Sequence, residues 1–332
     1  MIKIAKKESF ISILFLFIYS FSFIPIHKFN LMEINNTFDV IIIGGSYAGL
    51  SAAMSLGRFM RNVVIIDSGL PCNRQTTYSH NFLTQDGEKP GKITEKAKIQ
   101  VEQYNTIQFH NDLAISGRKT EKGFVINTQT GAIFRAKKLI FATGIKDIIP
   151  NIKGFYNCWG ISVVHCPYCH GYEFRNHITG IIANGEKAYH LASLVNNLTS
   201  AITILTSGSA AFSNEQFTKL KKQNIKIVET EITAIEHKNG YIKNVVFKDN
   251  SKISFQVVYA PIPFRQHSDI PATLGCELTE QGYIKTDSSH TTIKGIFACG
   301  DNTSMMRSVS NAVASGHFTG AMVNKELTEE QF

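Results

Sequence analysis

In "FDVIIIGGSYAGLSAAMSLGRF", residues 38–59, an apolar run breaks into a glycine turn and is followed by a helical pattern. "NVVIIDSG", residues 62–69, adds a second apolar run that ends in Asp67. Short apolar runs of this kind suit strands buried on both faces of a parallel sheet. Strand, glycine turn, helix and strand in that order make a β-α-β unit, which fixes an α/β architecture before any other feature is weighed. "FVINTQT" and "KKLIFATG" read as further strands.

The pattern restarts after "IIPNIKG". "HITGIIANGEKAYHLASLVNN" is a second strand, turn and helix, and "AITILTSG" is the strand after it. Residues 225–262 alternate apolar and polar positions around "KNG" and "KDNS" turns, the pattern of antiparallel hairpins. "GIFACGDN" is one more buried strand, and "SVSNAVASGHFTGAMVNKEL" is a closing helix. Two β-α-β units some 140 residues apart predict two Rossmann-like domains of the three-layer ββα type, the second inserted into the first. The expected division is residues 38–149 with 264–327 for the first and 150–263 for the second.

Each unit carries a degenerate G-x-G-x-x-G fingerprint. In the first, Gly44, Ser46 and Gly49 hold the three positions, and Asp67 stands where an acid accepts a bond from a ribose hydroxyl. Gly44 permits the tight turn and Gly49 the close packing of helix on strand, while Ser46 replaces the glycine that lets backbone approach phosphate. In the second, the positions fall on Ala183, Gly185 and Ala188, and the next strand ends in "TSGS". That end has neither an acid for an NADH ribose nor an arginine pair for an NADPH phosphate. The second unit is expected to keep the fold and to bind a nicotinamide nucleotide weakly or not at all.

The chain has 332 residues, a formal net charge of +8 and six cysteines. The charge is spread rather than gathered among aromatics, which argues against nucleic acid as a partner. Six cysteines are too few for a disulfide scaffold at this length. One close pair stands out, Cys166 and Cys169 in "HCPYCHG", with His170 directly after. C-x-x-C-H has four readings: haem attachment, half a zinc site, a glutaredoxin-like thiol pair, or the redox disulfide of a flavoenzyme. Haem suits two nucleotide-binding units poorly. Zinc would need ligands from Cys158, His165, His170 or His177 with no second C-x-x-C, and no metal is expected. A glutaredoxin-like pair would follow the first strand of a small domain, which this one does not.

Residues 1–37 form a hydrophobic leader. "FISILFLFIYSFSFIPI", residues 10–26, follows Lys3, Lys6 and Lys7 and resembles an export signal, but lacks a small-x-small cleavage site. It also falls short of the roughly 20 apolar residues a spanning helix needs. Met32 stands just before the first strand. Initiation at Met32 and a cytoplasmic product is the expectation; a membrane-anchored or exported form is the alternative.

Four segments in order, "VIIIGGSYAGLSAA", "LIFATG", "WGISVVHCPYCHGYEFR" and "GIFACGD", resemble the low-molecular-weight thioredoxin reductases and their relatives over Phe38 to about Leu327. The resemblance implies FAD in the first domain, held by Gly44, Gly45, Ser46, Gly49 and Asp67 around its ADP half. It places Thr143, Gly144, Gly300 and Asp301 along the rest of the cofactor and Asn81 near the flavin ring. It makes Cys169 the flavin-side sulfur, Cys166 the sulfur that meets substrate, and His170 the acid-base group. It also implies a homodimer and, as partner, a thioredoxin-like protein or a small dithiol or disulfide. Three departures stand out: the poor second fingerprint, His170 in place of an acid, and "NTSMMRSVSNAV" in place of the usual Arg-Gln-Ala. The first two resemble the branch of gliotoxin-type and holomycin-type dithiol oxidases. The expected function is FAD-dependent thiol-disulfide exchange with weak or no nicotinamide dependence. An NAD(P)H-dependent thioredoxin reductase and a non-catalytic flavin-binding redox sensor are the alternatives.

Overall fold

Strand Thr37–Ile43 lies at the centre of an eight-stranded sheet, flanked in parallel by Val63–Asp67 and Ile133–Phe141. Val40, Ile41 and Ile42 are fully buried, as a central strand covered on both faces requires. Ile107–Asn111 extends the parallel array on one side and Ile296–Ala298 on the other. The antiparallel strands Ala114–Thr120 and Gly123–Thr128 attach through Ile133–Phe141. The computed structural model describes residues 36–332, so the expectations for the leader up to Met32 lie outside the described residues. Among the described residues no helix is long and apolar enough to cross a membrane.

Two helices cover one face of this sheet. Helix Tyr47–Gly57 starts straight from the glycine turn, and the closing helix Val309–Gln331 packs along it. The two approach closely because Gly316 and Gly320 lie on Ala48 and Ala52; a Cβ on Gly320 would stand 2.6 Å from the Ala52 carbonyl oxygen. Ser51 Oγ donates to the Val313 carbonyl at 2.7 Å. The end of the chain thus holds the first helix, and its loop, in place.

The second sheet runs Lys226–Val228, Ile202–Leu205, Thr179–Ile182, Val257–Tyr259 and Val163–Val164, all parallel. This corrects the hairpin expectation for residues 225–262. Only Ile232–Lys238, Tyr241–Phe247 and Lys252–Ser254 form an antiparallel sheet, while the two ends of the stretch are parallel strands, Lys226–Val228 at the sheet edge and Val257–Tyr259 buried within it. Alternation alone misses this, because strands of three residues are too short to show a period. The chain leaves the first lobe along Ile145–Asp147 and returns along Phe264–Gln266. These two strands pair with each other as a separate ribbon, with Asp147 opposite Phe264.

Candidate active site

A cavity of about 850 Å³ opens beside the first glycine turn and reaches the Cys-x-x-Cys segment, a volume in the range of cofactor sites. At one end, Gly44 takes a φ of +105°, which a side chain would make costly. The Gly45 amide donates to Asp67 Oδ1 at 2.9 Å, and the Gly69 amide to Oδ2 at 3.2 Å. A Cβ on Gly45 would come within 2.8 Å of Asp67 Cβ, so the turn and the acid fit only with glycine there. Gly49 lies below the turn, where a Cβ would run into the Gly44 carbonyl, and packs helix to strand without lining the cavity.

The N-terminus of helix Tyr47–Gly57 opens into this cavity. Ser46 at its cap makes no side-chain capping bond, and the first turn holds no acid. Its amides are free to receive a phosphate, with the helix dipole adding to the attraction. Thr143, Gly144, Gly300 and Asp301 line the same cavity from the ends of the next two strands. Gly300 is steadied by its amide bond to Ser315 Oγ at 3.1 Å. Burial pushes Asp301 up to about 6, although Arg307 pulls it down. These residues fit the ADP and ribityl portions of FAD: open amides for the pyrophosphate, and carboxylates at two strand ends for sugar hydroxyls.

At the other end of the cavity stand Cys169 and His170. Cys166 and Cys169 are free thiols with their Sγ atoms 2.9 Å apart. Cys166 stands at the N-cap of the short helix Pro167–His170; its sulfur accepts from the Cys169 thiol, and the helix-start amides of Cys169 and Tyr168 add to the stabilisation of its thiolate. These bonds hold the Cys166 thiol down to about 7, while the same contact and burial push Cys169 up. Cys166 does not border the cavity. Burial, with His80 adding to it, drives His170 down to about 4, so its imidazole is neutral at physiological pH rather than poised to titrate there.

Asn81 is not brought to the cavity. It sits in an exposed left-handed turn at φ +60°, its amide tied to Asp86 Oδ1 at 2.7 Å, and the neighbouring His80 lines the wall instead. Sequence reasoning passed over four residues on the cavity wall, His80, Asp147, Trp159 and Arg307, and weighed a fifth, His165, only as a zinc ligand. Arg307 makes a two-pronged pair with Asp147, at 2.9 Å and 3.2 Å. Burial pushes His165 down to about 3, with Arg307 and His170 contributing, so this imidazole too is neutral.

The second fingerprint differs from the first at its own helix. Asn184 caps helix Gly185–Val195, and its Oδ1 accepts from the amides of Gly185 and Ala211, both at 2.8 Å. Its Nδ2 donates to the Ser209 carbonyl at 2.8 Å, closing the loop over the helix start. Glu186 adds a carboxylate in the first turn. The first amide of this helix is therefore taken by the chain's own acceptor.

Residues 38–316 match the model of the pyridine nucleotide-disulphide oxidoreductase family. The chain is 31% identical to thioredoxin reductase tcpT of Claviceps purpurea over 89% of its own length and 96% of that protein's. It is 32% identical to thioredoxin reductase sirT of Leptosphaeria maculans, over 86% and 93% respectively. Its structure is similar to that of an oxidoreductase from Agrobacterium tumefaciens, with a TM-score of 0.83 and 36% identity over 88% of this chain and 99% of the other.

Proposed function

The chain belongs to the pyridine nucleotide-disulphide oxidoreductase family, as an FAD-dependent oxidoreductase acting on sulfur, and we propose that it works without a nicotinamide nucleotide, oxidising a small dithiol. The observation that carries this is Asn184, whose side chain takes the first amide of the second helix and ties the loop at Ser209–Ala211 over the helix start, where a nicotinamide nucleotide's pyrophosphate would bind. Glu186 beside it would repel that pyrophosphate. The first helix, by contrast, is left open.

The chemistry of the chain's own groups follows from their placement. With Cys166 and Cys169 oxidised, a substrate thiolate attacks Cys166, the sulfur away from the cavity, and Cys169 leaves as a thiolate. The second substrate thiol then attacks the mixed disulfide. The substrate disulfide closes and Cys166 departs, favoured as a leaving group by the bonds that lower its pKa. His170, neutral and beside Cys169 on the cavity wall, accepts a thiol proton. An FAD bound here would supply the acceptor for the dithiol's electron pair and the route onward to a second acceptor such as oxygen. Asp67, Asp301 and the open helix start would hold it. A homodimer belongs to the same reading and is supported by family resemblance alone.

The test is anaerobic flavin absorbance on holoprotein, with NADPH, NADH and then dithiothreitol added in turn. Bleaching by dithiothreitol alone, reversed by air, is expected. Bleaching by either nicotinamide nucleotide at micromolar concentration would instead make the chain an ordinary thioredoxin reductase acting on a thioredoxin-like protein.

A further inference from the structure

Asp147 is bonded from both lobes. Asp147 lies on the ribbon through which the chain passes from the first lobe to the second and back. From the inserted lobe, Trp159 Nε1 donates to Asp147 Oδ2 at 3.2 Å. From the first lobe, Arg307 Nη1 and Nη2 donate to Oδ1 and Oδ2. The ion pair is largely removed from water, with side chains 13% and 9% exposed, so its strength is little screened. Trp159 is not free to follow a loosened Asp147, because its ring stacks on the buried Phe155 at 5.8 Å. Arg307 also reaches the redox pair directly: its carbonyl lies 3.9 Å from Cys169 Sγ. Its Nε has no hydrogen-bond partner among the described residues and lies 4.0 Å from Asp301 Oδ2. One residue thus touches the ribbon, the cavity carboxylate and the cavity-side cysteine.

We propose that Arg307 is a positioning residue: by gripping Asp147, and through it Trp159, it locks the inserted lobe with Cys169 turned onto the cavity. This rests on the reading of Cys169 as the sulfur that serves the cofactor. The planar fork of arginine matters, since it bonds both carboxylate oxygens and leaves Nε toward Asp301, whereas a lysine would offer one point contact. The segment carrying Arg307, "NTSMMRSV", is where this sequence departs from the family's usual pattern.

Trp159 is the only tryptophan in the chain, so intrinsic fluorescence reads the lock without regard to turnover. Arg307→Lys and Asp147→Asn would be compared with the parent holoprotein by tryptophan emission, by iodoacetamide labelling of Cys169 followed by peptide mass, and by the rate of flavin bleaching with dithiothreitol. The expected result is red-shifted, more quenchable emission and faster labelling of Cys169. Bleaching slows about ten- to a hundred-fold, the scale of a displaced reacting group. Trp159→Phe keeps the ion pair, so it should raise Cys169 labelling less than Asp147→Asn does. Where a variant releases FAD, emission and labelling are read on the apoproteins of parent and variant alike. Unchanged emission and labelling in both Arg307→Lys and Asp147→Asn overturn the lock, even if bleaching slows. Failure of dithiothreitol to bleach the parent would defeat the functional reading instead, and emission and labelling would still decide the lock.

Discussion

Cys166 and Cys169 hold their sulfurs 2.9 Å apart, and only Cys169 borders the cavity. The same contact that lowers the Cys166 thiol raises that of Cys169, so the pair is polarised: a thiolate on the outer sulfur, a thiol on the inner one. Polarity of this kind makes Cys166 the reactive sulfur of the reduced pair and, in the dithiol oxidation proposed above, the better leaving group. Alkylation of Cys166 by iodoacetamide should therefore rise with pH and level off above about 8, with a midpoint near its lowered value of about 7. In Cys169→Ala the main stabilising bond is gone, and the midpoint should move up toward the ordinary thiol range. An unmoved midpoint would show that the helix amides alone govern Cys166. Cys166→Ser should retain FAD and lose all exchange with external thiols.

His170 follows from burial in the same wall. At about 4 its imidazole is uncharged throughout the neutral range, so it can accept a proton but holds none in excess. The rate of dithiol-driven flavin bleaching should therefore show no imidazole step between about pH 5 and 8 and should track the Cys166 thiolate instead. His170→Ala should lower that rate by about 10²-fold or more, the usual worth of a positioned base, with FAD affinity little changed. A pH profile carrying a second midpoint near that of free imidazole would mean that His170 is charged when the site works.

Asn184 separates the stability of the inserted lobe from its chemistry. Its side chain caps helix Gly185–Val195 and ties two loops with three hydrogen bonds. Asn184→Ala should cost about 1–2 kcal/mol in a denaturant titration, the usual loss for a helix cap. Flavin bleaching by dithiothreitol should not change. A drop in the bleaching rate at unchanged stability would tie this loop to catalysis and remove the argument that it merely fills a vacated site.

Much of this was legible in the sequence because it is local. Glycine turns, apolar strands and the Cys-x-x-Cys spacing each lie within some twenty residues, and the structure sets Gly44, Asp67, Asp301 and Cys169 around one cavity. Asn184 left a signal that went unread: Asn before Gly-Glu at a helix start is a capping pattern. The lock left none. Arg307 and Asp147 stand 160 positions apart, and nothing in either neighbourhood marks them as partners. Asn81 misled for the opposite reason. Its place in sequence suited the flavin, but the turn that holds it, closed by Asp86, directs it outward.

Asp301 sets affinity against stability. Burial raises its carboxyl from 3.8 to about 6, so the folded apoprotein binds this proton more tightly than the unfolded chain. The stability from this group is complete below about pH 4 and is lost as pH rises through about 6. At neutral pH the apoprotein thus carries a buried charge only partly offset by Arg307, 4.0 Å away. Asp301→Asn removes that charge. Thermal denaturation of the apoproteins at about pH 7 should show the variant more stable, by on the order of 2 kcal/mol once the lost attraction to Arg307 is counted. At about pH 5 the difference should shrink. The same variant should bind FAD more weakly, read by titrating the apoprotein with the cofactor, because an amide is a poorer acceptor for sugar hydroxyls than a carboxylate. An apoprotein less stable than the parent at neutral pH would mean that the Arg307 attraction outweighs the cost of burial, and Asp301 would then be a structural ion pair.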